Sequence, residues 1–167
     1  IASGGLSIPK IGATDFAHRL ARQFDLRLVE PRPGLVPLTF AESDWKNFVA
    51  LAGIALEVEI AVGEKKQRTS FREDLLFTHR GLSGPAVLQI SSFWRAGQAL
   101  QINLLPELDL ATALITQKSG NKKQLLTVLT QYLPQRLAEG LLQAYNYDGT
   151  QRMADCSDKL LRELGQR

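Results

Sequence analysis

The sequence is poor in the residues that build metal centres and disulfides. Its 167 residues include one cysteine, Cys156, and two histidines, His18 and His79. One cysteine cannot form an internal disulfide or a cysteine-based metal site, and neither histidine has a second ligand at helical or hairpin spacing. We therefore expect no metal site and a reducing compartment.

Long apolar runs and targeting signals are absent as well. The sequence has no run of about 18 apolar residues, and its N-terminus lacks the charged-then-apolar pattern of a signal peptide. These absences predict a cytoplasmic protein with no membrane partner. Since the only methionine is Met153 and the chain begins with Ile1, we also expect a piece of a longer protein.

Neither sign of charge dominates the sequence. Twenty Lys and Arg residues stand against 17 Asp and Glu, for a net charge of +3, whereas a dedicated nucleic-acid binder carries a dense basic stripe. We therefore do not expect nucleic acid as a partner. Local basic clusters are interpreted as solvated surface, with phosphate binding as the alternative; they contain Lys65, Lys66, Arg68 and Arg72, and then Lys118, Lys122 and Lys123.

The sequence also lacks a self-sufficient catalytic motif. "GLSGP" at 81–85 is not the G-x-S-x-G elbow of serine hydrolases, because Pro85 takes the fifth place. Glu57 and Glu59 are predicted on the solvent side of one strand, so they are not a catalytic carboxylate pair. No phosphate loop and no G-x-G-x-x-G dinucleotide motif occurs.

Glycine and proline punctuate the first part of the chain. Residues 1–12 have the composition of a connecting loop. A helix capped by Thr14 or Asp15 follows, and then a short strand at 26–30. "PRPG" at 31–34 prevents regular structure from continuing, so the first boundary is placed there.

A small antiparallel barrel is predicted for residues 35–106. Apolar and polar residues alternate most clearly at 54–62, where one face of a strand should be buried. A turn at 63–67 and a short helix capped by Ser43 complete the pattern. Strands are predicted at 35–40, 54–62, 68–71, 74–79 and 98–105.

The remaining residues, 107–167, predict a cluster of three or four helices. Leucines recur there at helical spacing, Pro134 suits a helix start, and 146–150 suits a turn. With the strands before it, this region predicts an α+β fold in which a small β-barrel carries an appended helical bundle.

The segment "DLLFTHRGLSGPAVLQISSFW" at 74–94 is the main site candidate. A strand ends near His79, and Ser83 is predicted to cap a helix that begins at Gly84 and Pro85. One interpretation is a purely structural corner. The other is a ligand seat, where free N–H groups of the helix bind an anion or a polarised oxygen and His79 acts as acid, base or hydrogen-bond donor.

Two blocks carry a resemblance to a known family. "ASGGLSIPKIGAT" (2–14) and "DLLFTHRGLSGPAVLQIS" (74–91), together with "INLLP" (102–106), resemble the aminoacetone-oxidase/BaiN-like family of FAD-binding flavoproteins. The resemblance implies a two-layer FAD-binding domain interrupted by an insert, namely a small translation-factor-like β-barrel and a helical bundle. Residues 1–34 would be the connector from the FAD-binding domain, and 35–167 the insert, of a longer parent protein.

The resemblance also implies site residues. The first block would lie along FAD, and the corner would face the flavin, with His79 as the catalytic candidate. The residues concerned are Gly4, Gly5, Ser7 and Pro9 in the first block, and Thr78, His79, Gly81, Ser83 and Gly84 at the corner. Residues 14–17 depart from the Gly-Asp-Gly-Tyr run that the family often has there. Since the dinucleotide fingerprint is missing, the chain alone is expected neither to hold FAD nor to be active.

Two functions follow as hypotheses. The first is the insert of an FAD-dependent oxidoreductase, which covers the flavin, shapes access of a small-molecule substrate, and has the rest of the FAD-binding domain as its partner. The second is an RNA- or protein-binding module built on a translation-factor-like barrel, with the basic loop at 65–72 as its contact.

Overall fold

The computed structural model describes residues 2–64 and 67–166. They divide into two compact units, residues 1–32 and 33–167. The turn predicted at 63–67 contains Lys65 and Lys66, which lie outside the described residues.

The first unit has one α-helix, α1 (Phe16–Gln23), preceded by a 3-10 turn at Pro9–Ile11. The helix follows Asp15, as predicted, but the Asp15 side chain makes no capping hydrogen bond and pairs with Arg19 at 3.1 Å instead. The strand predicted at 26–30 is wrong: this segment pairs with no strand in the described part of the chain. A strand is stable only with a neighbour.

The second unit is built on a five-stranded antiparallel sheet. Its spatial order is β1-β4-β3-β2-β5, which leaves β1 and β5 at the edges of a curled half-barrel. The α+β fold with a small antiparallel barrel is thereby confirmed. The two strands predicted at 68–71 and 74–79 are one continuous strand. The strands are β1 (Leu38–Thr39), β2 (Ala55–Val62), β3 (Thr69–Thr78), β4 (Gly81–Ser83) and β5 (Leu100–Asn103).

Strand β2 shows why the alternating pattern predicted the sheet. Val58 and Ile60 are fully buried on one face. On the other face, Glu59 pairs with Arg68 at 3.0 Å across the hairpin to β3. One face packs in the core, and the other carries Glu57 and Glu59 before it is buried at Ala61, which is close to what period-two alternation predicts.

Among the described residues, six α-helices accompany the sheet, and the last four form the predicted helical cluster. The short helix predicted from Ser43 begins one residue earlier, after Ala41, and has no side-chain cap. Helix α6 begins directly after Pro134, as predicted. The helices are α2 (Glu42–Trp45), α3 (Pro85–Ser91), α4 (Leu110–Lys118), α5 (Leu125–Leu129), α6 (Gln135–Ala144) and α7 (Asp158–Gln166).

One hydrophobic core runs through the sheet and the helices of the second unit. Helix α3 packs on β3 and β2, and α4 packs on α7. No described helix is both long and apolar enough to cross a membrane. The largest fully buried side chains include Leu51, Ile60, Leu75, Ile90, Leu114, Leu125, Leu137, Met153 and Leu161.

Candidate functional site

The corner at residues 74–91 is a strand, a tight turn and a helix in close succession. Strand β3 ends at Thr78, which is paired with Gly81 at the start of β4. The Thr78 hydroxyl donates to the Gly81 carbonyl at 2.9 Å and accepts from the Arg80 N–H at 3.3 Å. Thr78 therefore closes the turn that carries His79 and Arg80.

Ser83 does not cap the following helix, so that prediction is wrong. Ser83 lies in β4, opposite Leu76, and the residue before the helix is Gly84, with φ 92° and no side-chain cap. Pro85 occupies the first helical position, as predicted. The chain has to reverse between β4 and α3 in a conformation that glycine adopts easily and serine does not.

At two glycines of the corner, Gly81 and Gly84, the backbone packs closely against the backbone of a neighbouring strand. A Cβ atom on Gly81 would lie 2.1 Å from the Leu38 carbonyl oxygen, and one on Gly84 would lie 2.6 Å from the Asp74 carbonyl oxygen. The missing side chain of Gly81 allows β4 to lie close to β1, and that of Gly84 allows the start of α3 to lie close to β3. Their contact with flavin, like that of Thr78, stays a prediction.

His79 and Arg80 are the polar side chains of the turn between β3 and β4. Both residues are exposed. Within the described part of the chain, neither side chain has a hydrogen bond or ion pair. His79 can therefore meet a substrate or another part of a larger protein as an acid, base or donor.

An aromatic cluster beside the turn escaped the sequence analysis. The Phe40 ring is stacked on the Trp45 ring, with centroids 4.7 Å apart and planes 8° apart. Trp45 also packs against Phe77, at 6.3 Å, and its indole N–H donates to the Thr78 carbonyl at 2.9 Å. The spacing of these residues carries no periodic signal, because β1, α2 and β3 meet only in the folded chain.

The glycine-rich first block belongs to the first unit. Gly4, Gly5, Ser7 and Pro9 are all exposed. The Ser7 N–H donates to the Gly5 carbonyl at 2.9 Å, and Pro9 begins the 3-10 turn. The two predicted blocks thus lie in separate compact units.

FAD is the group that the resemblance implies, and the described residues fit it in part. A Cβ atom on Gly4, where φ is 75°, or on Gly5 would meet no described atom within 4 Å. A ligand could therefore approach this backbone closely. At the corner, by contrast, a Cβ atom on Gly81 or Gly84 would meet backbone atoms of the chain itself, and the exposed polar side chains of the turn are His79 and Arg80.

The basic cluster at 65–72 is largely neutralised where it is described. Arg72 pairs with Glu57 at 2.7 Å and also with Glu107, while Arg68 pairs with Glu59. The hydrogen bonds that the Arg72 guanidinium donates to both carboxylates raise the pKa of Arg72. These contacts support the interpretation of this cluster as a solvated, ion-paired face.

A cavity lies against β5, at the sheet edge opposite β1. Its volume is about 680 Å³, and half of its lining residues are leucines, including Leu105, Leu129 and Leu141.

No group of three or more potential metal ligands occurs in residues 2–64 and 67–166. Cys156 is buried, and desolvation raises the pKa of its thiol. The polar corner is thus the better candidate for chemistry.

Comparison with known proteins decides the family. Residues 32–167 match the family described as "HI0933-like protein barrel and H2TH domain". The chain belongs to this family. HI0933-like domains occur in flavoprotein-related families, which agrees with the coarse part of the resemblance.

Two curated relatives carry the same name, "Ribosomal RNA dihydrouridine synthase". The protein from Escherichia coli (strain K12) is 48% identical over 144 residues, which are 86% of this chain and 35% of the relative. The protein from Haemophilus influenzae is 45% identical over 140 residues, 83% of this chain and 34% of the relative. The chain thus spans about a third of their length. Their name differs from the aminoacetone oxidase of the initial resemblance.

Proposed function

We propose that this chain is the barrel-and-helix insert, with its connector, of a flavin-dependent enzyme that reduces uridine in ribosomal RNA to dihydrouridine. The observation that carries the proposal is 48% identity over 86% of the chain to a protein named for that activity. An enzyme acting on ribosomal RNA would work in the cytoplasm, as the sequence predicts.

The proposal joins the two hypotheses drawn from the sequence. The oxidoreductase hypothesis supplies the chemistry, and the RNA-binding hypothesis supplies the substrate. The name of the relatives argues against the expectation that nucleic acid is not a partner. A net charge of +3 does not conflict with an RNA substrate, because the rest of the parent protein can contribute phosphate contacts.

Dihydrouridine differs from uridine by two hydrogens across the C5–C6 double bond of the base. Bound reduced flavin is a hydride donor, and this supplies one of the two hydrogens. A proton must reach the other carbon, and its donor has to be accessible to the base. We assign this role to His79, which is exposed on the turn between β3 and β4.

The first block has a separate role in the proposal. Gly4 and Gly5, whose backbone is open, would lie along FAD with Ser7 and Pro9. The dinucleotide seat itself would come from the rest of the FAD-binding domain, the partner of this chain in the parent protein.

The test is the dihydrouridine content of ribosomal RNA. Deleting the gene of the parent protein should remove a nucleoside that is two hydrogens heavier than uridine, as measured by mass spectrometry, and the intact gene should restore it. His79→Ala should restore about 10²-fold to 10⁴-fold less activity, the usual loss when a general acid is removed.

His18→Ala is the matched control, since His18 is the other histidine and lies on α1. It should restore the nucleoside fully. Unchanged dihydrouridine after gene deletion would contradict the proposed function. Full activity of His79→Ala would contradict only the role of His79.

A further inference from the structure

In the aromatic cluster of Phe40, Trp45 and Phe77, one face of the Phe40 ring is exposed to solvent. Trp45 is 6% exposed, whereas Phe40, stacked on it, is 45% exposed. One side of the Phe40 ring therefore packs against Trp45, and much of the remainder faces solvent.

The position of this ring is fixed from two sides. The indole N–H of Trp45 donates to the Thr78 carbonyl at 2.9 Å, and the Phe40 N–H donates to the Arg80 carbonyl at 3.1 Å. Both hydrogen bonds end on the turn that carries His79. These two hydrogen bonds thus fix the position of the Phe40 ring relative to that turn.

The arginine beside this ring, Arg80, differs from the one nearer the opposite end of β3, and the exposed acidic residues of α2, Glu42 and Asp44, make no ion pair with Arg80 within the described residues. There, Arg72 is paired with Glu57 and Glu107. Arg80, at the turn, has no ion pair within residues 2–64 and 67–166, and it is exposed. Arg80 and Phe40 are neighbours through the hydrogen bond between their backbones. A free guanidinium and an exposed aromatic face are together the groups that bind a base and its phosphate in single-stranded nucleic acid.

We propose that Phe40 is a stacking surface for a base of the RNA substrate and that Arg80 binds an adjacent phosphate. The inference rests on the proposed function, which makes RNA the substrate, and it adds the residues that position it. Phe40 and Arg80 are thus positioning residues, beside His79.

The test measures binding of the purified parent protein to two fluorescent oligomers of equal length. One is a short oligouridylate, and the other is its abasic counterpart, which keeps the phosphates and lacks the bases. Phe40→Leu should weaken oligouridylate binding about 5-fold to 150-fold, the range for losing one base–aromatic stack, and leave abasic binding unchanged. Phe40→Trp, which keeps an aromatic face, should bind normally.

Two further variants complete the design. Arg80→Gln should weaken binding of both oligomers equally, because both carry the phosphates. Phe93→Leu is the matched control: Phe93 is 50% exposed and packs against Phe71, near the start of β3 and roughly 20 Å from Thr78 by strand rise. It should change neither binding constant.

Several results would overturn the inference. They are equal binding of the two oligomers by the wild-type protein, normal oligouridylate binding by Phe40→Leu, or an equal loss with Phe93→Leu. A lower melting temperature of Phe40→Leu with unchanged binding would mean that the ring only packs against Trp45 and takes no part in RNA binding. If ribosomal RNA is still reduced in these cases, the proposed function stands without the stacking site.

Discussion

The two compact units differ in where their apolar side chains go. Helix α7 of the second unit buries Leu161 completely, in a core that runs through the sheet and helices. Helix α1 of the first unit is also amphipathic, yet Phe16 is exposed, as is Phe24 just after the helix. No described residue of the first unit is buried. An amphipathic pattern therefore predicts that a helix needs a partner, but not that the partner belongs to the same compact unit.

This difference bears on the proposed function. The second unit has the core of an independent fold, and its corner presents His79 on a turn fixed by hydrogen bonds. The first unit has exposed apolar side chains and open glycines. We infer that it is completed by the rest of the FAD-binding domain in the parent protein.

The largest expected effect is on the core of the second unit. Leu161→Ala should lower the free energy of unfolding of the 167-residue chain by about 2–5 kcal/mol, because it leaves a cavity among buried side chains. Phe24→Ala should change it by less than about 0.5 kcal/mol, since Phe24 is 67% exposed. Urea unfolding measures both values. An equal loss from both variants would remove the contrast between the units.

Next in size is the backbone at the corner. Gly84 and Gly97 have similar positive φ values, 92° and 87°, but a Cβ atom would meet backbone atoms only at Gly84. Alanine at either position carries the strain of positive φ. Gly84→Ala should lower the free energy of unfolding by at least about 1 kcal/mol more than Gly97→Ala. Equal effects in urea unfolding would show that the close packing is unimportant.

Much of this fold was predictable because it follows from local patterns. The alternation at 54–62 identified β2, and Pro85 and Pro134 marked two helix starts. The errors arose where contacts between residues distant in sequence determine whether a strand forms and how long it is. The segment 26–30 looks like a strand but has no neighbouring strand among the described residues, and 68–78 was divided although β2 pairs with all of β3 from Thr69 to Leu76.

The candidate site was predictable only in part, for the same reason. His79 stood out as a histidine in a turn after a strand. Ser83 was misjudged because the φ of Gly84 cannot be seen in the sequence. The stack of Phe40 on Trp45 depends on the meeting of β1, α2 and β3, so its exposed face appeared only in the structure.

A smaller effect is expected on the reactivity of the Cys156 thiol, in the helical part of the second unit. Burial raises the pKa of this thiol, so folding favours its protonated form. The resulting stability is present below the pKa of the unfolded chain and is lost as pH rises through the folded-state pKa. Alkylation by iodoacetamide at neutral pH should be at least about tenfold slower than in urea. Equal rates would show that the helical part opens readily.

The smallest expected effect is on the stability contributed by the residue that precedes a helix, Asp109 before α4 in the second unit and Asp15 before α1 in the first. Asp109 before α4 accepts hydrogen bonds from the Thr112 hydroxyl, at 2.7 Å, and the Thr112 N–H, at 3.1 Å. These bonds lower the pKa of Asp109. The stability they contribute is therefore present above the unfolded-state pKa and is lost as pH falls through the folded-state pKa.

Asp109→Ala should thus lower the melting temperature slightly at neutral pH, and the difference from wild type should vanish in acid. Asp15→Ala is the control, because Asp15 precedes α1 without a capping hydrogen bond. It should have the weaker effect in thermal unfolding. A larger effect of Asp15→Ala would reverse the comparison.

The most direct test of the account is the flavin content of two purified proteins, the parent protein and this 167-residue chain, measured by absorbance after removal of free flavin. The account predicts that the parent protein is yellow, with about one flavin per chain, and that the 167-residue chain is folded and colourless. Stoichiometric flavin on the 167-residue chain, or none on the folded parent protein, would contradict it.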